Sequence, residues 1–419
     1  MFAGVLPRIS RLYKNTIDLY NRAGLLHTAI YISRYLAAKA PLLAGHIVQR
    51  RRLAPVTRKI AQRRAHDESL SCPLLAFKVT GGVGDYIVVA RFLRDLKRSC
   101  ENFVFDVYAS VPVNALWIFR AVEGCGEVWA DILFDHVYQA YDASFSIGHF
   151  VAVCSYRTRG ILRKCPHLAQ TIAKIQAYRR YIDVHIAQHP KLDNALGRIA
   201  IFSNASRRDY MHRIAGIEYG GDQMPLPSAV GAQKKFELHE HPYITIHNGF
   251  DPGFVISGKR ATKCYPHFSK VAALIKKELP NLLIVQVGTT TSDPIQNTDL
   301  NLIGRTELSE VAAILKDALL HLDSEGGLVH MARCYGVPSC VVFGPTPSAY
   351  FGYPTNINID PPVCGDCWWI TSSWMSICPR GYEHPRCLVE QEPENVAAAA
   401  ISYLKQLRPD LLRSPKMPG

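Results

Sequence analysis

Acidic side chains are almost missing from the start of the chain. Residues 1–66 hold one, Asp18, against thirteen lysines and arginines, while the formal net charge of all 419 residues is +13. The rest of the sequence is close to neutral, so the basic excess belongs to an N-terminal arm and not to the body. Long apolar runs are missing too. Leu25 to Leu36 is apolar at helical spacing, but Arg34, Lys39 and Pro41 interrupt it before the roughly 20 apolar residues a membrane span requires. No short apolar core ends in a small-residue cleavage site, so a secretory signal is not expected. A complete GxGxxG is lacking, which argues against a dinucleotide site, and no internal repeat or long low-complexity tract interrupts a globular reading. A basic, partly amphipathic arm suits an anionic membrane surface or packs as a solvated helical extension. No nucleic-acid reading motif accompanies the charge, and nucleic acid is not expected as a partner.

What is present is apolar material, 48% of the residues, in a chain longer than one core usually organises; two domains are expected behind the arm. Leu74 to Val79 is a short apolar run ending in Thr80-Gly81-Gly82-Val83-Gly84-Asp85, after which Tyr86 to Leu96 is apolar at helical spacing: strand, glycine loop, helix. Asp85 there reads either as a helix-capping carboxylate or as a carboxylate facing a cleft. Strand-like runs at Phe103 to Ala109 and Ala143 to Ile147 alternate with helical material at Val113 to Val122 and Leu168 to Ile182. Such alternation predicts an α/β chain with a mostly parallel, helix-covered sheet. Arg207, Arg208 and His212 could meet an anion, but in a polar helical segment they read as a solvated face. A composition break at Met224 to Lys235 separates the halves. Strands at Tyr243 to Ile246 and Leu282 to Val287 follow, with helices at Phe268 to Lys277, Leu308 to Ala318 and Pro393 to Leu407.

The most informative stretch is Leu322 to Thr346, LDSEGGLVHMARCYGVPSCVVFGPT. It reads as a strand end, a tight Glu325-Gly326-Gly327 turn, a helix through His330 to Cys334, a second turn, and a buried strand from Ser339 to Phe343. Two glycines at the mouth of a helix let backbone N–H groups approach an anion, where the helix dipole also favours negative charge. A diphosphate would suit such a turn, and so would no ligand at all.

This stretch resembles the nucleotide-binding signature of glycosyltransferase family 9, the ADP-heptose:lipopolysaccharide heptosyltransferases. Glu325 stands where the family more often has Asp. Gly84-Asp85 resembles the family's first loop, in which a carboxylate acts as catalytic base. Lys263-Cys264-Tyr265-Pro266 is similar to the family's Lys-x-Trp-Pro, whose lysine neutralises charge on a departing diphosphate. His247-Asn248-Gly249 and Ile303-Gly304-Arg305-Thr306, with Leu308 after it, are similar to loops beneath and beside the donor. Asp293 reads better as a turn former.

The resemblance covers about residues 73 to 407. It implies a GT-B fold, two Rossmann-like domains facing across a cleft: the arm at 1–70, an acceptor-side domain at 71–232, a nucleotide-sugar domain at 233–392 and a C-terminal helix and tail at 393–419 that braces the first domain. It implies inverting transfer of a heptose from an ADP-sugar to a hydroxyl of an anionic glycolipid, glycan or protein, without a catalytic metal. The implied site is Asp85 and Lys263 as catalytic groups, with Asn248, Gly249, Thr306, Leu308, Glu325, Gly326, Gly327, Leu328 and His330 on the donor. A cytoplasmic protein at the inner face of the membrane is the matching location. Readings of other classes are a nucleotide-sugar epimerase and a non-catalytic sugar-nucleotide or membrane binder.

Cys364, Cys367, Cys378 and Cys387 lie within 24 residues in CxxC-x10-C-x8-C spacing. Four thiols so placed can close a tetrahedral zinc or iron site. An iron-binding four-cysteine motif is associated with the autotransporter heptosyltransferases that the family includes.

Overall fold

The computed structural model describes residues 53–63, 72–100, 103–158, 161, 164–188, 192–248, 261–371 and 373–412. The apolar stretch at 25–36, Gly249, Lys259 and Arg260 lie outside the described residues. Two compact units divide the chain, residues 1–65 and 66–419. In the first, 53–63 is helical.

The larger unit is built on two sheets. The first has β1 (Leu74–Val79), β2 (Val104–Ala109), β3 (Cys125–Ala130), β4 (Ala143–Ile147) and β5 (Val151–Tyr156) in the order β3-β2-β1-β4-β5. Its main helices are α1 (Val83–Cys100), α2 (Pro112–Phe119), α3 (Pro166–Gln188), α4 (Leu192–Phe202) and α5 (Tyr210–Ala215). All pairings are parallel except β4 with β5. β1 is central and buried along most of its length, which is why its sequence is a continuous apolar run and not an alternating one.

The second sheet contains β6 (Tyr243–Ile246), β7 (Leu283–Gln286), β8 (Leu300–Asn301), β9 (His321–Ser324), β10 (Ser339–Val342) and β11 (Ile357–Ile359), ordered β11-β10-β9-β6-β7-β8 and parallel throughout. Around it lie α6 (Phe268–Glu278), α7 (Leu308–Asp317), α8 (Gly327–Cys334), α9 (Ser348–Phe351) and α10 (Pro393–Leu407). Two helix-covered parallel sheets in succession are the GT-B architecture.

The expected strands and helices appear within a few residues of their predicted ends, and α10 begins with Pro393, which has no N–H to leave unpaired in a first helical turn. Its Val396, Ala397, Ala400 and Leu404 pack with Val271, Ala272 and Ile275 of α6 in the second half's core. That packing departs from the expected brace on the first domain: the apolar stripe of α10 is spent on its neighbour in the second sheet.

The two halves meet where α1 and α8 begin. A Cβ on Gly84 would lie 2.7 Å from His330 Cδ2 and 3.2 Å from the Cα of Gly327, and a Cβ on Gly327 would lie 3.2 Å from the Gly84 nitrogen. Only paired glycines allow two helix N-termini to approach this closely. Deeper in the same seam Arg91 of α1 is buried. Its guanidinium donates to the Tyr353 hydroxyl at 2.6 Å and to the His330 carbonyl at 3.0 Å.

Candidate active site

β1 delivers the chain into Gly81, whose φ of +110° favours glycine, and a Cβ there would overlap Asp85 Oδ2 at 2.0 Å. The glycine therefore leaves room for the Asp85 carboxylate to fold back over the start of α1. Oδ2 accepts from the Gly82 N–H at 3.1 Å, which is half of a capping box, and Oδ1 accepts from the Arg207 guanidinium at 2.9 Å. One oxygen thus caps the start of α1, as the first reading has it, and the other faces the Arg207 cation. Burial pushes this carboxyl's proton affinity up, but Arg207, then His149, and the two hydrogen bonds outweigh it and hold Asp85 below the usual carboxylate range. Asp85 is ionised at neutral pH, and each oxygen keeps a lone pair that these two bonds do not use.

Across the seam, the Glu325-Gly326 turn joins β9 to α8. Lys263 Nζ lies 3.3 Å from Glu325 Oε2, and both side chains are largely buried. Burial works against the lysine's charge, yet Glu325 and, more weakly, Asp323 raise its proton affinity, so it stays a cation. His330 donates to or accepts from the Tyr353 hydroxyl at 2.6 Å through Nδ1, and its Nε2 is 4.0 Å from Glu325. Burial, with Arg91, Arg207 and Lys263 nearby, pushes its pKa down to about 3 against the opposing influence of Asp85; it is a neutral imidazole.

The loops are held from beneath. Asp323, wholly buried, bonds both His247 Nδ1 at 3.0 Å and His321 Nε2 at 3.3 Å, and Thr245 bonds the other nitrogen of His321 at 2.9 Å. The Tyr265 N–H donates to Ser324 Oγ at 3.2 Å, docking the Lys263 segment against the end of β9.

Asp85, Lys263, Glu325, Gly327 and His330 are thus brought into one neighbourhood, with Gly326 and Leu328 in the same turn. Asn248 sits at the end of β6, its Nδ2 donating to the Asp293 carbonyl at 3.2 Å and its buried Oδ1 without a partner among the described residues. Asp293 serves that loop through its backbone, in keeping with a turn former. Thr306 lines a polar cleft of about 460 Å³ with Lys235, Arg305 and Glu310, and its Oγ1 is likewise buried without a partner. Leu308 opens α7, whose start is fixed by a capping box between Glu307 and Glu310.

One sequence expectation is corrected. Arg207 and His212 are not a solvated face. Arg207 is 2% exposed beside Asp85, and His212 is buried with Nε2 3.1 Å from Asp95. The reason is that α5 buries Tyr210, Met211, Ile214 and Ala215 as well, leaving little room for an outer face. Arg208, partly buried, pairs with Asp222 at 3.2 Å.

Cys364, Cys367, Cys378 and Cys387 stand close together in the segment after β11. These are free thiols, and among the described residues no three His, Cys, Asp or Glu side chains gather closely enough to hold an ion. They are neighbours all the same. Burial, then the adjacent cysteines, pushes Cys367 up to about 11 and Cys387 up to about 12.

His149 was missed altogether. It lies in the turn between β4 and β5, against Tyr350, Phe351 and Trp368 of the second half. Burial and the Arg207 cation push it down to about 3.

Residues 222–360 match the family model of glycosyltransferase family 9 (heptosyltransferase). No curated protein matches the chain. Among solved structures, the dodecameric iron-containing heptosyltransferase TibC in complex with ADP-D-beta-D-heptose aligns over 80% of this chain and 77% of that one, at 12% identity and a TM-score of 0.54. TibC from enterotoxigenic E. coli aligns over the same shares at 13% identity and a TM-score of 0.52. The E. coli ADP-heptose lps heptosyltransferase II aligns over 80% of this chain and 99% of that one, at 15% identity and a TM-score of 0.46. At such identities the likeness is one of fold.

Proposed function

We propose that this chain, whose residues 222–360 match the family 9 model, is an inverting glycosyltransferase that moves a heptose from ADP-heptose to a hydroxyl of lipopolysaccharide core or a related glycan or protein. The observation that carries this reading is the meeting of two helix N-termini at Gly84 and Gly327, with an ionised carboxylate on one side and a buried lysine on the other. In the proposed reaction the acceptor oxygen attacks the anomeric carbon as the bond to the diphosphate breaks, and Asp85 takes the acceptor proton. The departing ADP carries the new negative charge. Lys263 and the N–H groups at the start of α8 are suited to receive it, doing with protein groups what other transferases do with a metal ion.

Glu325, an acceptor-only group in its ionised form, suits a sugar or ribose hydroxyl and not a phosphate. The unpartnered oxygens of Asn248 and Thr306 would serve donor hydroxyls or base edges. In this reading residues 71–232 hold the acceptor and 233–392 the donor. TibC's bound ADP-heptose is in accord with the donor, as is the family description. The test is acceptor-dependent release of ADP from ADP-heptose with inversion at the anomeric carbon. Free epimer formed without acceptor would contradict it.

We propose that the four neighbouring cysteines close on a thiophilic cation. Burial, and after it the neighbouring cysteines, disfavours the thiolate form of Cys367 and Cys387, and a dication held by Cys364, Cys367, Cys378 and Cys387 would offset that and crosslink the segment. The expected result is roughly one zinc or iron per chain, with Cys367→Ser lowering both metal content and melting temperature. Protein purified without chelators and found metal-free by elemental analysis would contradict it.

The basic arm is proposed to rest on the anionic inner face of the cytoplasmic membrane. Each basic residue contributes about 1 kcal/mol at most and is screened by salt, so flotation with anionic vesicles should weaken as salt rises and disappear without residues 1–66. Equal binding by the truncated chain would exclude the arm.

A further inference from the structure

Asp85 owes its ionised, aimed state to a residue 122 positions away. Arg207 lies just before α5 with its guanidinium 2.9 Å from Asp85 Oδ1, and it is nearly sealed from solvent, its side chain 2% exposed against 32% for Asp85. That asymmetry is informative. A surface arginine pairing with a carboxylate can leave at little cost, whereas a buried guanidinium has nowhere better to go and stays. Its main chain is fixed as well. The Arg207 N–H donates to the Tyr350 carbonyl at 2.8 Å, and Tyr350 belongs to α9 of the second half. The side chain also runs past Met211, with Nη1 3.9 Å from its sulfur.

The other groups facing Asp85 do not duplicate this role. The Gly82 N–H caps it from its own loop. His149, from the turn between β4 and β5, lowers the proton affinity of Asp85 less than Arg207 does, and His330, from α8, also adjoins it; burial and Arg207 itself push both imidazoles down. Lys263 and Arg91 act on His330, one step further out. Among the described residues, Arg207 is the cation in direct contact with the carboxylate.

We infer that Arg207 is the positioning residue of the transfer reaction: it keeps Asp85 ionised and pointed into the cleft, and through its main-chain bond to Tyr350 it ties the base to the half that carries the donor. The inference rests on Asp85 being the base. It is a step beyond that assignment, because a base can be present yet set by solvent alone. Without the guanidinium the largest charge opposing burial is gone, leaving His149 and the Gly82 N–H against it, and the carboxyl's proton affinity rises.

The test is the pH dependence of kcat/KM for the acceptor in wild type, Arg207→Met, Arg207→Lys and Asp85→Asn, each first checked for folding by circular dichroism and for ADP binding. The acid limb of the profile should move to higher pH in Arg207→Met, so that activity still climbs over a range where the wild type is flat. Arg207→Lys, which restores the charge without the planar fork, should bring the limb back toward its wild-type place. Should Arg207→Met not fold, Arg207→Gln replaces it and the comparison with Arg207→Lys stands. Lower turnover with an unmoved limb in every folded Arg207 variant overturns the inference while leaving Asp85 as base, provided Asp85→Asn abolishes the limb. A limb that survives in Asp85→Asn overturns both.

Discussion

Asp85→Asn should lower turnover by about 10²- to 10⁴-fold while ADP binding changes little. An acceptor hydroxyl is a poor nucleophile at neutral pH, so a carboxylate must take its proton as the new bond forms. The amide cannot. The substitution separates the capping of α1 by Asp85 from the base role proposed for it. Its amide oxygen can still accept from the Gly82 N–H, so the start of α1 keeps its cap, whereas the ion pair to Arg207 is lost and a buried guanidinium is left short of one partner. A loss of about 1.5 to 3 kcal/mol in stability is expected from the missing charged hydrogen bond, reduced by the partial exposure of Asp85. Turnover must therefore be compared below the variant's melting range. If folded Asp85→Asn transfers sugar at near-normal rate, the carboxylate is a helix cap with an ion pair and nothing more.

Lys263→Ala should weaken ADP binding and turnover together. Its ammonium faces Glu325 at 3.3 Å, so its removal has two expected consequences: the diphosphate loses a cation, and the Glu325 carboxylate is left uncompensated beside it. Losing one charge-assisted hydrogen bond costs about 1.5 to 3 kcal/mol, which is roughly 10- to 150-fold in Kd for ADP. Turnover falls further, because charge on the leaving oxygen grows as the bond breaks. Adding Glu325→Gln to Lys263→Ala removes the uncompensated carboxylate and should recover part of the binding loss but little of the turnover. ADP affinity unchanged in Lys263→Ala would remove the lysine from the diphosphate.

These expectations come from residues whose local sequence already spoke. The run Leu74 to Val79 is apolar on both faces because β1 is central. The Glu325-Gly326-Gly327 turn is legible because close approach of backbone needs residues without a Cβ. Helix α10 announces its own beginning with Pro393. The edge strands were harder to read. Much of β3 and β5 is only partly buried, so neither a continuous apolar run nor a strict alternation marks them.

The base's partners were illegible for a different reason. Arg207 is 122 residues from Asp85, and His149 is one residue in the three-residue Gly148-His149-Phe150 turn; contact across that separation leaves no periodic trace. A hint did exist in Arg207. It precedes Tyr210, Met211 and Ile214, a cluster too apolar for an exposed helix, and a charged residue next to such a cluster must either reach out or find a buried partner. For the four cysteines the spacing spoke clearly of a ligand set, while the described side chains stand as neighbouring thiols without a ligating arrangement.

The central claim is that the turn between β9 and α8 receives an ADP-sugar. It is tested most directly by titrating the full chain with ADP, UDP and GDP under identical conditions. All three present the same diphosphate to Lys263 and the start of α8, so any preference comes from the base and its loops. ADP should bind at least about tenfold more tightly than either competitor, a difference of about 1.4 kcal/mol. Equal binding of the three, or preference for UDP or GDP, would contradict the assignment.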